Sequence, residues 1–214
     1  MQKSSYRLVY DKLFQYYGPQ GWWPAETAFE MMIGSILVQN TNWRNVDKAL
    51  LELRPYLQPE TIAEMPIEQL AQLIRSSGFF NIKAKRIKSF MAWFKKYGFA
   101  LDEVRRKEKE ELREELLGIN GIGRETADVM LIYAFDQPVF VVDAYARRIF
   151  YRLGYDMPVS YDAFREKIEQ TLPEDVTLYN EYHALLVEHA KRICKPSPIC
   201  SECPLLDICA QRLD

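Results

Sequence analysis

The 214-residue chain is 48% hydrophobic, enough to bury a core as one domain or as two small lobes. It holds no run of about 18 apolar residues, and MQKSSYRLVYDK at its start lacks the apolar core of a signal peptide, so the expectation is a cytoplasmic protein without membrane contact. Lys+Arg 28 against Asp+Glu 30 leaves a formal net charge of -2, which excludes a globally basic nucleic-acid binder and leaves room only for a local basic surface.

The spacing of Leu8, Val9, Leu13 and Phe14 predicts an opening helix from Tyr6 to Tyr17, stopped by Gly18-Pro19. In Gly21-Trp22-Trp23-Pro24, two adjacent indoles cannot both face one core from a regular helix, so one of them belongs on a loop or a pocket wall. Ala25 to Val38 is apolar on nearly all sides and reads as a central buried helix, ending in the polar cluster Gln39-Asn40-Thr41-Asn42 before Trp43. Four amphipathic helices follow, Arg44 to Leu53, Ile67 to Ile74, Ile82 to Tyr97 and Lys107 to Leu117, with stops at Pro55, Ser77-Gly78, Gly98 and Gly118. Lys83, Lys85, Arg86, Lys88, Lys95 and Lys96 fall in Asn81 to Lys96 with no acid among them, either a basic patch or a solvated helix face. Arg105 to Glu111 is charged at every position and reads as a solvated helix face with i,i+4 pairs.

Leu116 to Asp143 carries the densest pattern. Gly118, Gly121 and Gly123 are three places for positive φ, with Ile119 and Ile122 as apolar anchors between them, the composition of a tight hairpin joining two helices. Arg124 to Tyr133 is the second helix; its first-turn amides, around Arg124 and Thr126, suit a phosphate oxygen without help from any side chain. A simple turn between packed helices has the same composition. Asp136-Gln137-Pro138 then breaks the helix, and Val139 to Val142 forms the one strand-like run, read as a linker between lobes. Asp143 follows where an N-cap belongs, ahead of Tyr145, Ile149, Phe150 and Leu153 at helical spacing.

Helices from Ser160 to Leu172 and from Thr177 to Ile193 lead into all four cysteines of the chain, Cys194, Cys200, Cys203 and Cys209. In a reducing compartment this clustering favours a four-thiolate metal site over two disulfides, and the spacing suits zinc or an iron–sulfur cube alike.

The run from Leu116 to Asp143 resembles the helix-hairpin-helix and aspartate signature of the endonuclease III superfamily of DNA base-excision glycosylases. That resemblance implies an all-α, two-lobed helix-hairpin-helix glycosylase fold. Residues 21–135 would form a helical bundle, residues 1–20 with 136–214 a second lobe, and Asp143 would lie in the groove between them. It implies a DNA phosphate clamp at Gly118, Gly121, Ile122, Gly123, Arg124 and Thr126, with Asp143 serving glycosidic-bond chemistry. Gln39, in Val-Gln-Asn-Thr, would plug the hole left by a flipped base, with Trp22, Trp23 and Trp43 forming the base pocket. The terminal cysteines resemble the family's Cys-x6-Cys-x2-Cys-x5-Cys loop, one residue shorter in the first gap, so a [4Fe–4S] cluster on Cys194, Cys200, Cys203 and Cys209 is implied. Two positions depart from the pattern: Asn120 replaces the hairpin's proline, and Glu125 stands where bifunctional members carry a lysine nucleophile.

Glu125 cannot form a Schiff base, so the expectation is a monofunctional DNA glycosylase without lyase activity. Trp-Trp-Pro, Gln39-Asn40-Thr41, Ser77 to Arg86 and Gly121 to Asp128 are most similar to the 3-methyladenine DNA glycosylases of the family. Their implied substrate is an alkylated purine in damaged double-stranded DNA, bound by a monomer in the cytoplasm, at the nucleoid if the source is bacterial. A cationic purine would sit in an aromatic slot between Trp43 and Trp22 or Trp23. A lysine associated with the pocket of those enzymes aligns near Leu185 and is not carried over. Two other readings stand beside this one. The first is an endonuclease III-like enzyme for oxidised pyrimidines, which would need another amine, such as Lys83 or Lys85, to replace the missing lysine. The second is a DNA-binding protein without turnover.

Overall fold

The computed structural model describes residues 5–22 and 25–213. Trp23, one of the expected pocket residues, lies outside them. The described residues are helical, with short 3-10 turns and no strand. The chain divides into two compact units, Trp23–Gln137 and a second made of Met1–Trp22 with Pro138–Asp214.

The middle unit is organised around α2, Ala28–Leu37. Every residue of α2 from Phe29 to Leu37 is buried, as expected of a helix apolar on all sides. It begins later than its apolar pattern because Thr27 supplies the cap, accepting from the Glu30 amide at 3.0 Å. Around it stand α3 (Trp43–Leu53), α4 (Pro59–Glu64), α5 (Ile67–Leu73), α6 (Phe80–Phe94), α7 (Leu101–Arg105), α8 (Lys109–Leu117) and α9 (Arg124–Ala134). The single charged helix face expected over Arg105 to Glu111 is instead a break between α7 and α8. Arg105 turns there to the Ala134 carbonyl at the end of α9, at 3.0 Å, and to Asp136 at 3.0 Å. A cation on the last carbonyls of α9 suits the negative end of its dipole. Below it, Arg113 of α8 meets Asp128 of α9 at 2.7 Å in a buried ion pair. Losing one partner there would strand a buried charge, at a cost of about 3–5 kcal/mol.

The basic run on α6 is also only partly a surface. Lys83 is 1% exposed, and its ammonium donates to the carbonyls of Leu37 at 2.7 Å and Ser77 at 2.6 Å. Lys88 donates to the carbonyls of Ile62 and Ala63, each at 2.8 Å. Two of the six cations therefore fasten the ends of neighbouring segments, while Lys85, Lys95 and Lys96 remain exposed.

The other unit holds α1 (Tyr6–Tyr17), α10 (Ala144–Leu153), α11 (Tyr161–Glu169) and α12 (Val176–Arg192). Aromatic rings fill its centre: Tyr6 meets Phe150 at 5.1 Å and Tyr155 at 4.7 Å, and Phe140 meets Tyr182 at 5.4 Å. The Tyr182 hydroxyl donates to the Tyr6 carbonyl at 2.7 Å, which satisfies a phenol otherwise sealed in apolar surroundings. Val139–Val142 is buried but forms no strand. Its amides find side chains instead, Phe140 N–H the carboxylate of Glu169 at 2.8 Å and Val142 N–H the hydroxyl of Tyr161 at 3.2 Å.

Candidate active site

Between α8 and α9 the chain turns through the glycine hairpin. Ile119 and Ile122 are buried anchors, and the Ile122 amide donates to the Ile119 carbonyl at 3.0 Å. Of the three glycines expected at positive φ, only Gly121 has it, at +89°. Gly118 ends α8 in the right-handed helical region at φ -73°, and Gly123 caps α9 in extended backbone at φ -92°, ψ 177°. Space explains Gly121 a second time, because a Cβ there would lie 2.2 Å from Cγ of Arg86. Gly123 has open space on its Cβ side, so its backbone is approachable. Arg124 and Glu125 are exposed in the first turn of α9 and Thr126 is buried there, where a helix presents amides without intrahelical acceptors.

Gln39 lies against this hairpin. Its amide nitrogen donates to the Gly121 carbonyl and to the Thr126 hydroxyl, both at 3.0 Å, while Arg86 donates to its carbonyl oxygen. Gln39, Arg86, Gly121 and Thr126 thus form one polar network drawn from four segments of the middle unit. Trp43 opens α3 and packs its ring edge over Gly34, 3.5 Å from where a Cβ would be. Trp22 belongs to the other unit, with Asp143.

Asp143 is the N-cap of α10 and is 9% exposed. One carboxylate oxygen, Oδ1, accepts from the Ala146 amide at 2.7 Å. The other, Oδ2, is 3.5 Å from Nε2 of His183 on α12. The ring of Trp22 stands 5.7 Å from that imidazole, tilted by 60°. A buried carboxylate with one oxygen fixed and the other facing a polarisable group can stabilise positive charge and take a proton from water.

Two residues of consequence escaped the sequence. His183 is one of only two histidines in the chain, and its neighbour Asp143 lies 40 positions away, so only the scarcity of the residue type marks it. Phe79 is the other: it holds φ +47° at the start of α6 while its side chain is 64% exposed. A bulky residue in that region costs about 1–2 kcal/mol, and an exposed ring on such backbone has the form of an apolar wedge. Lys83 fastens the Leu37 carbonyl, two residues before Gln39, and the Ser77 carbonyl, two residues before Phe79.

The four cysteines form no disulfide; Cys194 is buried and the others half-buried. Burial pushes the Cys203 thiol up to about 11, the nearby thiols of Cys194, Cys209 and Cys200 adding to the shift against a backbone hydrogen bond at Leu205. Among the described residues no group of three or more His, Cys, Asp or Glu stands close enough to hold a metal ion. The donor chemistry nevertheless fits a sulfur-ligated cluster. Arg152 reaches Cys194 Sγ at 3.5 Å and the Gln211 amide donates to Cys209 Sγ at 3.4 Å, the N–H to sulfur bonds that tune such centres. The second histidine, His189, lies 3.7 Å from Cys203 Sγ, and burial lowers its pKa to about 4, leaving it neutral.

A glycine hairpin opening a helix and a capping aspartate ahead of a second helix, on an all-helical frame, are the arrangement that the resemblance to the DNA glycosylases implies. The chain belongs to the HhH-GPD superfamily of base excision DNA repair proteins, whose family pattern matches residues 33–174. It is 43% identical, over 99% of its length and 100% of the relative's, to a candidate DNA repair glycosylase of Methanocaldococcus jannaschii. Among solved structures it resembles the Helicobacter pylori 3-methyladenine DNA glycosylase MagIII bound to 1,N6-ethenoadenine, with TM-score 0.78 and 26% identity over 88% of this chain and 98% of that one. It also resembles a trapped endonuclease III–DNA covalent intermediate, with TM-score 0.81 and 27% identity over 96% of this chain and 94% of that one. No helix among the described residues is long and apolar enough to cross a membrane.

Proposed function

We propose that the chain is a monofunctional glycosylase that hydrolyses the N-glycosidic bond of an alkylated purine, 3-methyladenine or a close analogue, flipped from damaged double-stranded DNA. The carrying observation is where the amines are. Glu125 occupies the first turn of α9 at the family's lysine position, and the ammonium of buried Lys83 is engaged by the Leu37 and Ser77 carbonyls. Of the two amines named for the bifunctional reading, that leaves Lys85, exposed on α6.

The reaction needs little more than Asp143. A purine methylated on a ring nitrogen carries positive charge, so when the C1′–N bond breaks its electron pair leaves on the base and neutralises it. The Asp143 carboxylate stabilises the oxocarbenium sugar and takes a proton from the water whose oxygen bonds to C1′. Oδ2 serves this step, since Oδ1 is held by the Ala146 amide. Backbone amides at Gly121 to Thr126 bind a DNA phosphate, Gln39 fills the vacated stack, and Phe79 wedges the neighbouring base step. Trp22, Trp23 and Trp43 supply aromatic faces for a cationic base, at roughly 0.5–2 kcal/mol per contact. Cys194, Cys200, Cys203 and Cys209 would hold a [4Fe–4S] cluster, which when bound supplies a rigid cross-link of the C-terminal loop.

The test is a panel of duplexes, one methylated by dimethyl sulfate and others carrying thymine glycol, with base release scored apart from strand cleavage and with borohydride present or absent. Release of 3-methyladenine without cleavage or a trapped adduct is expected. Excision of thymine glycol with a trapped adduct would establish the endonuclease III-like reading instead.

A further inference from the structure

We infer that His183 is the positioning residue of Asp143, an inference that rests on the reading of Asp143 as the reacting carboxylate. A carboxylate fixed by one hydrogen bond can still rotate its second oxygen about the Cβ–Cγ bond. Asp143 is held at Oδ1 by the Ala146 amide at 2.7 Å. His183 Nε2, 3.5 Å from Oδ2, supplies the second point that defines the carboxylate plane. That distance is ion-pair range and the outer edge of a hydrogen bond, a spacing that catalytic pairs shorten when substrate binds. Both side chains are sealed, His183 at 5% and Asp143 at 9% exposure, so the contact is little screened by solvent.

The imidazole is itself fixed. Glu181, two residues earlier on α12, accepts from the backbone amides of Gln20 and, at 3.2 Å, Gly21. These residues immediately precede Trp22, whose ring then covers His183 at 5.7 Å. One helix thus anchors the loop that delivers the indole and carries the imidazole that the indole covers. Trp22, proposed above as one aromatic face for a cationic base, thus also covers the imidazole beside the carboxylate.

The test is single-turnover base release from methylated duplex at saturating enzyme, together with the dissociation constant for undamaged duplex and the thermal midpoint. His183→Leu removes the donor and is expected to slow release by on the order of 10- to 100-fold, the cost of a loosened reacting group. Duplex affinity should stay within about twofold, since the phosphate clamp lies elsewhere. His183→Gln keeps an N–H donor and should recover most of the rate, whereas His183→Met, of similar length, has no donor and should not. The Gln and Met pair decides the matter even if the leucine variant fails to fold. Equal rates in His183→Gln and His183→Met, or a wild-type rate in His183→Leu, would overturn the inference. Wild-type protein that releases no base from any duplex would instead sink the glycosylase reading itself, before any His183 variant is compared.

Discussion

The side-chain amide of Gln39 donates to the backbone carbonyl of Gly121 at 3.0 Å, joining the end of α2 to the turn of the glycine hairpin. Three contacts hold this side chain, to Gly121, Thr126 and Arg86. To enter a duplex it must leave all three. Gln39→Ala should therefore do two separable things. It should lower stability by about 1–2 kcal/mol, the usual net worth of such half-buried hydrogen bonds, as read by denaturant unfolding. It should also reduce base release more than binding to undamaged DNA, because the gap left by the flipped base stays unfilled. Equal loss of both would make Gln39 a structural strut only.

Gly121 carries two demands that no other residue type meets. Its φ of +89° disfavours any Cβ, and that Cβ would meet Arg86 at 2.2 Å. Gly121→Val should lower the thermal midpoint, at a backbone cost of about 1–3 kcal/mol. It should also weaken binding to every duplex irrespective of lesion, since a backbone clamp reads no sequence. Lesion-selective weakening would contradict a phosphate role for the hairpin.

What was legible in the sequence follows the range of each signal. The helix from Tyr6 to Tyr17 was readable because Leu8, Val9, Leu13 and Phe14 keep helical spacing and Gly18-Pro19 stops it; its cap, Ser5 at 3.1 Å from the Leu8 amide, is added by the structure. The buried character of α2 and the capping position of Asp143 were readable for the same local reason. The short helices Pro59–Glu64 and Leu101–Arg105 span too few turns to show a period, so no pattern in the sequence marks them. Lys83 looked like surface charge, since nothing local says that its ammonium ends on carbonyls 46 and 6 positions away. His183 beside Asp143, and Arg86 over Gly121, are products of tertiary packing between segments and had no local signature.

The cysteine loop makes a compositional prediction. Protein purified without oxygen should contain about four irons per chain and show the broad visible absorption of a four-iron cluster. Stoichiometric zinc would point to a structural zinc site on the four thiolates instead. Cys203→Ser should destabilise the C-terminal loop more than it alters base release by the protein that remains folded. Its expected signature is a lower thermal midpoint and lost visible absorption.

Asp143→Asn separates cap from chemistry. Asparagine caps a helix about as well as aspartate, so the Ala146 amide keeps an acceptor and the thermal midpoint should barely move. The amide bears no charge and takes no proton, so base release should fall by at least about 100-fold while duplex affinity is retained. A variant that loses folding and activity together would mark Asp143 as the structural cap alone.

The last prediction concerns acid stability and Glu115. Its carboxylate accepts from the indole of Trp93 at 2.9 Å, the phenol of Tyr97 at 2.5 Å and the ammonium of Lys107 at 2.6 Å. Burial alone would raise its pKa, but the hydrogen bonds from Lys107, Tyr97 and Trp93 outweigh it and draw the group down to about 2 from 4.5. A folded-state pKa below the unfolded one means that the unfolded chain binds the proton more readily. The contribution to stability is then fully present above about pH 4.5 and disappears as pH falls through about 2. The side chain is 30% exposed, so solvent screening reduces the benefit to about 1–2 kcal/mol. Glu115→Gln keeps two hydrogen-bond acceptor lone pairs but no charge. Denaturant unfolding of the two proteins should differ near pH 7 by that amount and converge toward pH 2. A constant gap across the range would mean that packing of Trp93 and Tyr97, rather than the carboxylate charge, sets the contribution of this site.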